Sequence, residues 1–206
     1  VDVLAQPNKS AETRLSMKDD SYGQWMNEII DALQLKNVTL AGFSFGGLVI
    51  LKTLINNESN IKEVFLSAPA YIVNGNPIKA LFKFFIPMKR YMKTKKTKYL
   101  ERFLDAAFTE KDDFAYNSLT LVFTYFTMDF SPVPVIKTIE ASKIKTPITI
   151  IAAGNDIIFP GEKMIKRAKK IFPSLKRTLL LKDSKHVQNK KDNSRIATLI
   201  VNKEVI

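Results

Sequence analysis

Ser44 lies between two glycines in Gly42-Phe43-Ser44-Phe45-Gly46, where a short aliphatic run, Val38 to Ala41, gives way to a second apolar run, Gly46 to Leu54, that contains no proline. The first run reads as a strand and the second as a helix, so the serine sits on a strand-to-helix turn. At such a turn the neighbouring chain passes close, and the residues two before and two after the serine are expected to need no side chain, which Gly42 and Gly46 satisfy. The turn lifts the Ser44 hydroxyl clear of the strand. It also puts the Phe45 amide at a helix N-terminus, where partial positive charge stabilises a developing oxyanion. Ser44 is therefore a candidate nucleophile and Phe45 a candidate backbone donor of an oxyanion hole.

A serine needs a base to take its proton, and the chain holds a single histidine, His186. It follows a β-like run, Arg177 to Lys182, in the polar stretch Asp183-Ser184-Lys185-His186, which reads as the loop at a strand's end. A solvated surface histidine is the plainer reading of the same residue. The acid that would orient the imidazole is expected after another strand. Thr146 to Ala153 is such a strand, and it runs into Gly154-Asn155-Asp156-Ile157-Ile158-Phe159-Pro160. Asp156 is the candidate, with a helix-capping turn aspartate before Glu162 to Phe172 as its alternative. Asp183 competes less well, because its carboxylate would come from the same loop as the base.

The elements that must position these groups alternate between strand and helix. Ser21 to Leu33 has helical spacing of Tyr22, Trp25, Met26, Ile29, Ile30 and Leu33, with Ser21 and Gln24 expected to form a capping box. Strands Val38 to Gly42 and Ile61 to Ser67 enclose the helix after Ser44, which makes a parallel βαβ unit. From Asn76 to Phe130 the spacing is helical and aromatic-rich, and Pro132, Pro134 and Pro147 mark the return to the sheet. Strand, helix and strand follow, then a terminal helix near Arg195 to Val201. This is an α/β chain with a mostly parallel sheet flanked by helices.

The order Ser44, Asp156, His186 is that of the α/β-hydrolases, and the resemblance extends to particular segments. Trp-Met-Asn-Glu-Ile-Ile-Asp-Ala-Leu from Trp25, followed by Val-Thr-Leu-Ala-Gly-Phe-Ser-Phe-Gly-Gly, resembles the helix, strand and elbow of small bacterial carboxylesterases of that superfamily. Ile144-Lys145-Thr146-Pro147-Ile148 through Asp156 is similar to their acid-bearing strand, and Lys185-His186-Val187 to their histidine loop, although Lys185 stands where glycine is common. The resemblance implies an α/β-hydrolase core at residues 1–70 and 143–206 and a helical lid at 71–142. It implies a serine hydrolase that forms an acyl-enzyme on a carboxylic ester. It also implies that the strands preceding Val1-Asp2-Val3-Leu4 in the family have no counterpart here, and with them the loop that supplies the second oxyanion amide. Loss of one such donor costs about 2.7 to 4 kcal/mol. The alternative function is therefore a catalytically impaired, hydrolase-like binding module, and the incomplete sheet edge would favour a homo-oligomer.

Composition narrows the remaining classes. The chain has 206 residues, 46% of them hydrophobic, and a mean hydropathy near zero, enough for one sizeable core. No apolar run is long enough to span a membrane and the first residues show no signal-peptide pattern, which gives a cytoplasmic expectation. With no cysteine and one histidine, neither a disulfide nor a transition-metal site is expected. No Gly-rich phosphate cradle is present, so no cofactor is expected. The formal charge of +12 is concentrated between Lys79 and Arg102, where only Glu101 opposes nine cations. That run reads as a solvated face, with contact to an anionic membrane surface or attraction of an acidic substrate as the functional readings. Specific nucleic-acid binding is not expected, since charge alone gives only non-specific affinity. Aromatics in the same region pack a core by default, and together suggest an apolar ester as substrate, with Phe43 and Phe45 flanking Ser44.

Overall fold

In the computed structural model, which describes residues 1–7 and 9–202, four strands form one sheet. They are β1 (Val38–Phe43), β2 (Ile61–Ser67), β3 (Ile148–Ala153) and β4 (Leu175–Leu181), in that spatial order. β1 pairs with β2 and β2 with β3 in parallel, with Gly42 opposite Leu66 and Leu66 opposite Ile150. β3 is buried along its whole length, as its uninterrupted aliphatic sequence requires. The helices are α1 (Ser21–Ala32), α2 (Phe45–Asn56), α3 (Pro77–Ala80), α4 (Ile86–Thr94), α5 (Thr97–Ala107) and α6 (Asp113–Tyr125), then α7 (Thr138–Ala141), α8 (Gly161–Ile171) and α9 (Lys190–Asn202). Among the described residues no helix is long and apolar enough to cross a membrane.

The chain divides into two compact units. The first comprises Val1–Val73, Val133–Ala152 and Gly161–Leu180. It contains nearly all of the sheet, and its core includes Leu48, Leu51, Leu66, Ile148 and Ile150. Helix α2 is buried from Gly47 through Leu54, which explains why its sequence is apolar beyond a single stripe, with Lys52 and Thr53 satisfied by Asp19 O and Val49 O. The second unit comprises Asn74–Pro132, Ala153–Pro160 and Leu181–Ile206. Its core is aromatic: Tyr91, Phe103 and Phe123 are buried with Met88, Leu100 and Leu104, and the Phe103 and Phe123 rings meet edge to face at 5.0 Å. For these residues packing is the role. Between α3 and α4 the chain stays helical through a π-helical segment, Leu81–Phe85, in which the Ile86 amide donates to the Leu81 carbonyl. Pro87 follows, has no N–H to return to Lys83, and so favours this wider turn.

Three sequence expectations are corrected. Ser21 and Gln24 form no capping box: Asp20 is the N-cap and makes no side-chain cap bond. The Asp19 carboxylate instead accepts both the Ser21 amide, at 2.9 Å, and the Ser21 hydroxyl, at 2.5 Å, so the amide that the Gln24 side chain would have accepted is already taken by a charged acceptor, and the Gln24 amide donates to Asp20 O at 2.9 Å. β4 begins two residues earlier than the β-like run from Arg177. Helix α9 begins at Lys190 rather than near Arg195, because Asn189 Oδ1 accepts the Asp192 amide at 2.8 Å and caps a polar first turn that lacks apolar periodicity. Residues 203–206 of the expected core lie outside the described residues.

Candidate active site

Ser44 joins β1 to α2 with φ 50° and ψ −112°, a left-handed backbone that costs a non-glycine residue about 1–3 kcal/mol and persists only where the surroundings impose it. Hydrogen bonds impose it here. The Ser44 amide donates to Ser67 O at the end of β2, and Ser44 O accepts from the Gly47 and Ala70 amides, all at 2.9 Å. Ala68 and Tyr71, in the loop leaving β2, also have positive φ, 41° and 82°. The elbow and that loop are thus two bent segments holding each other. The Ser44 side chain makes no bond to the helix it caps. Phe45 is the first residue of α2, where an amide has no acceptor within the helix, and its ring meets Tyr22 edge to face at 5.2 Å. Phe43 is 43% exposed.

The glycine requirement is met differently from the sequence expectation. A Cβ on Gly42 would lie 2.7 Å from Ile50 Cδ1 and 2.8 Å from the Gly46 carbonyl carbon, so Gly42 is needed. A Cβ on Gly46 would meet nothing within 4 Å. Gly42 approaches the backbone of Gly46, which any residue would possess. The second constrained position is Gly47, whose Cβ would fall 2.4 Å from Pro69 Cβ in the loop after β2. Nothing in the local pattern marks that contact, because Pro69 reaches it through tertiary folding.

Asp156 and His186 belong to the second unit, and there they meet. His186 Nδ1 lies 2.7 Å from Asp156 Oδ2, with the carboxylate side chain fully buried and the imidazole 10% exposed. An ionised carboxylate has no hydrogen to give, so Nδ1–H donates and the lone pair of the neutral ring is on Nε2. Oδ1 accepts the Ile158 amide at 2.7 Å and the Phe159 amide at 3.0 Å. The turn aspartate and the histidine partner are thus one residue, each oxygen serving one role. Asp183 is exposed and is not this partner. Phe159 sets its ring 5.5 Å from the imidazole, closing one side of it to water.

The family model for serine aminopeptidase, S33, matches residues 16–188, a stretch that includes the elbow, Asp156 and His186. The chain belongs to that family. Carboxylesterase YbfK of Bacillus subtilis is 29% identical over 70 residues, which is 34% of this chain and 24% of that protein's length. The solved structure of carboxylesterase CesB (YbfK) from Bacillus subtilis superposes with a TM-score of 0.78 at 14% identity, over 99% of this chain and 73% of that one. Naproxen esterase (carboxylesterase NP) from Bacillus subtilis gives 0.79 at 16% identity, over 98% and 72%. The esterase EaEST from Exiguobacterium antarcticum gives 0.69 at 19%, over 95% and 77%. The fold is that of the α/β-hydrolases.

Within this family member the histidine loop is fastened by groups that the sequence did not point to. The Val187 amide donates to Ala107 O at 2.8 Å, and Val187 O accepts the Thr109 amide at 2.9 Å, a parallel bridge to the end of α5. Lys185 uses its backbone amide on Thr109 Oγ1 at 2.9 Å and its ammonium on Asp105 O at 2.7 Å. Gln188 Nε2 donates to His186 O at 3.0 Å, and the Ser184 hydroxyl to Asp192. No short-range signal announces Asp105, Ala107 or Thr109, which are at least 76 residues away in the chain.

Proposed function

We propose that this chain is a serine hydrolase that cleaves an apolar carboxylic ester through an acyl-enzyme, with Ser44 as nucleophile, His186 as base and then acid, and Asp156 as the group that orients the imidazole. Ser44 Oγ attacks the ester carbonyl while His186 Nε2 takes its proton, and the Phe45 amide donates to the oxyanion that forms. Collapse breaks the carbon–oxygen bond to the alcohol, which leaves with the proton from Nε2. Water then repeats the sequence on the acyl-serine and returns the acid. The observation that carries this reading is the buried 2.7 Å pair between His186 Nδ1 and Asp156, which puts the lone pair on Nε2. The strained φ of Ser44, on a strand-to-helix elbow whose helix its side chain does not cap, supports it. Ester rather than peptide chemistry is favoured by the likeness to proteins named as carboxylesterases.

A fluorophosphonate probe and a nitrophenyl ester test the proposal together. The chain is expected to take up one label and to hydrolyse the ester, and Ser44→Ala to lose the label and about 10⁴- to 10⁶-fold of kcat. An unlabelled parent chain, or a Ser44→Ala variant that labels equally well, would overturn the catalytic reading in favour of a hydrolase-like binding module.

A further inference from the structure

The opening of the second unit carries a face that the chemistry above does not use. Ile78, Leu81 and Phe82 recur at helical i, i+3, i+4 spacing across α3 and the start of the π-helical segment, and they are 67%, 46% and 63% exposed. Such a cluster of large apolar side chains in water marks a contact surface. Lys79 and Lys83 are interleaved with it, both exposed. Residues 77–98 hold eight Lys or Arg and no Asp or Glu, against a net charge of +12 for the chain. Behind Phe82 is a groove of about 670 Å³, lined by Lys83, Ile86, Arg90, Tyr99 and Arg102, with the Arg90 guanidinium 5.6 Å from the centre of the Tyr99 ring. Asp105 also lines it, but its carboxylate is held by Lys111 at 2.5 Å.

We propose that this face docks on an anionic lipid surface, with Ile78, Leu81 and Phe82 entering the headgroup boundary and Lys83, Arg90 and Arg102 taking a lipid phosphate. Interleaved apolar and cationic side chains on one helical face fit that boundary, where each apolar group is buried and each cation neutralised. A second copy of the chain fits poorly, since it would bring the same eight cations against these eight.

Cosedimentation of the intact chain with vesicles of phosphatidylcholine, alone or with about a third phosphatidylglycerol, tests this at about 0.1 M salt. Binding is expected only to the anionic vesicles. Lys83→Gln with Arg90→Gln should weaken it about 25-fold, at about fivefold for each cation, and Phe82→Ser about tenfold. Lys166→Gln with Lys169→Gln, an equal charge loss on exposed positions of α8, should leave it within about twofold. Ile78→Ser provides a second apolar variant if Phe82→Ser melts early. Equal binding to neutral vesicles, equal loss in the α8 variant, or a chain that stays in the supernatant would overturn the proposal. So would self-association abolished by Phe82→Ser, or protection of the groove by inorganic phosphate without vesicle binding.

Discussion

The elbow at Ser44 and the pair at His186 are built by opposite means. The elbow is made of backbone: three main-chain hydrogen bonds of 2.9 Å fix Ser44, and the side chains that matter are the ones missing at Gly42 and Gly47. The pair is made of side chains, a buried carboxylate and an imidazole 2.7 Å apart, on loops that are themselves tied to residues far away in sequence. Backbone architecture tolerates changes of chemistry but not of volume. Side-chain architecture tolerates small changes of volume but not of chemistry. Substitutions can therefore be chosen that damage one region and spare the other.

The largest expected effect is on the pair. Asp156→Asn keeps the shape and the acceptor for the Ile158 and Phe159 amides, but it can present an amide N–H to Nδ1 and so favour the wrong imidazole tautomer. Ester hydrolysis should fall about 10⁴-fold, while the melting temperature changes little. Asp183→Asn, at the exposed competitor, should leave the rate within about twofold. Steady-state kinetics with the nitrophenyl ester measures both. A loss shared equally by the two variants would mean that charge near the loop, and not the orienting bond, is what the histidine needs.

This contrast also explains what the sequence revealed. Strand, elbow and helix at residues 38–54 were legible because aliphatic runs and a glycine two residues before Ser44 are local requirements. Asp156 and His186 were legible as types, since the chain has one histidine and an aspartate just past a buried strand. What fastens His186 was not, because Thr109 and Val187 are 78 residues apart and nothing in either segment encodes the other. The same holds for Gly47, whose constraint lies in Pro69, whereas the expected need at Gly46 came from the motif's spacing and is absent from the packing. Helix α9 escaped at its start because Lys190 to Asn193 is polar, so only the Asn189 cap could have marked it.

The next effect, intermediate in size, separates the two glycines after Ser44. Gly47→Ala forces a methyl group to within 2.4 Å of Pro69 Cβ. The loop that bonds Ser44 must then move, at a cost of about 1–3 kcal/mol and a fall of several degrees in melting temperature. Activity should fall with it, since the Ala70 amide is part of that loop. Gly46→Ala enters open space inside a helix, where alanine is favoured over glycine by up to about 1 kcal/mol. Thermal melts of the two variants are expected to shift in opposite directions. If Gly46→Ala proves the worse of the two, the elbow is constrained by the motif's spacing after all, and the distinction drawn at Pro69 fails.

The smallest effect reaches the elbow through pH. Tyr71 follows Ala70 in the loop that bonds Ser44, with φ 82°, and its carbonyl accepts the Ile136 amide at 2.7 Å. Burial, assisted by the negative charges of Glu140 and Asp20, pushes its hydroxyl up to about 12 from 10. The unfolded chain therefore releases this proton near pH 10 while the folded one keeps it to about 12, so the folded state binds more protons in that window and stability falls as pH rises through it. Lys52, whose ammonium sits 5.0 Å from the Tyr71 ring, acts with the opposite sign. Burial pulls its pKa down, and the penalty for keeping that buried cation charged is relieved as the pH climbs towards 10.5. Tyr71→Phe should remove this share of the downward slope, so that denaturant midpoints of the variant decline less steeply between about pH 10 and 12 than those of the parent. A decline of equal steepness in both would place the alkaline sensitivity outside the elbow and remove this handle on the backbone-built half of the comparison.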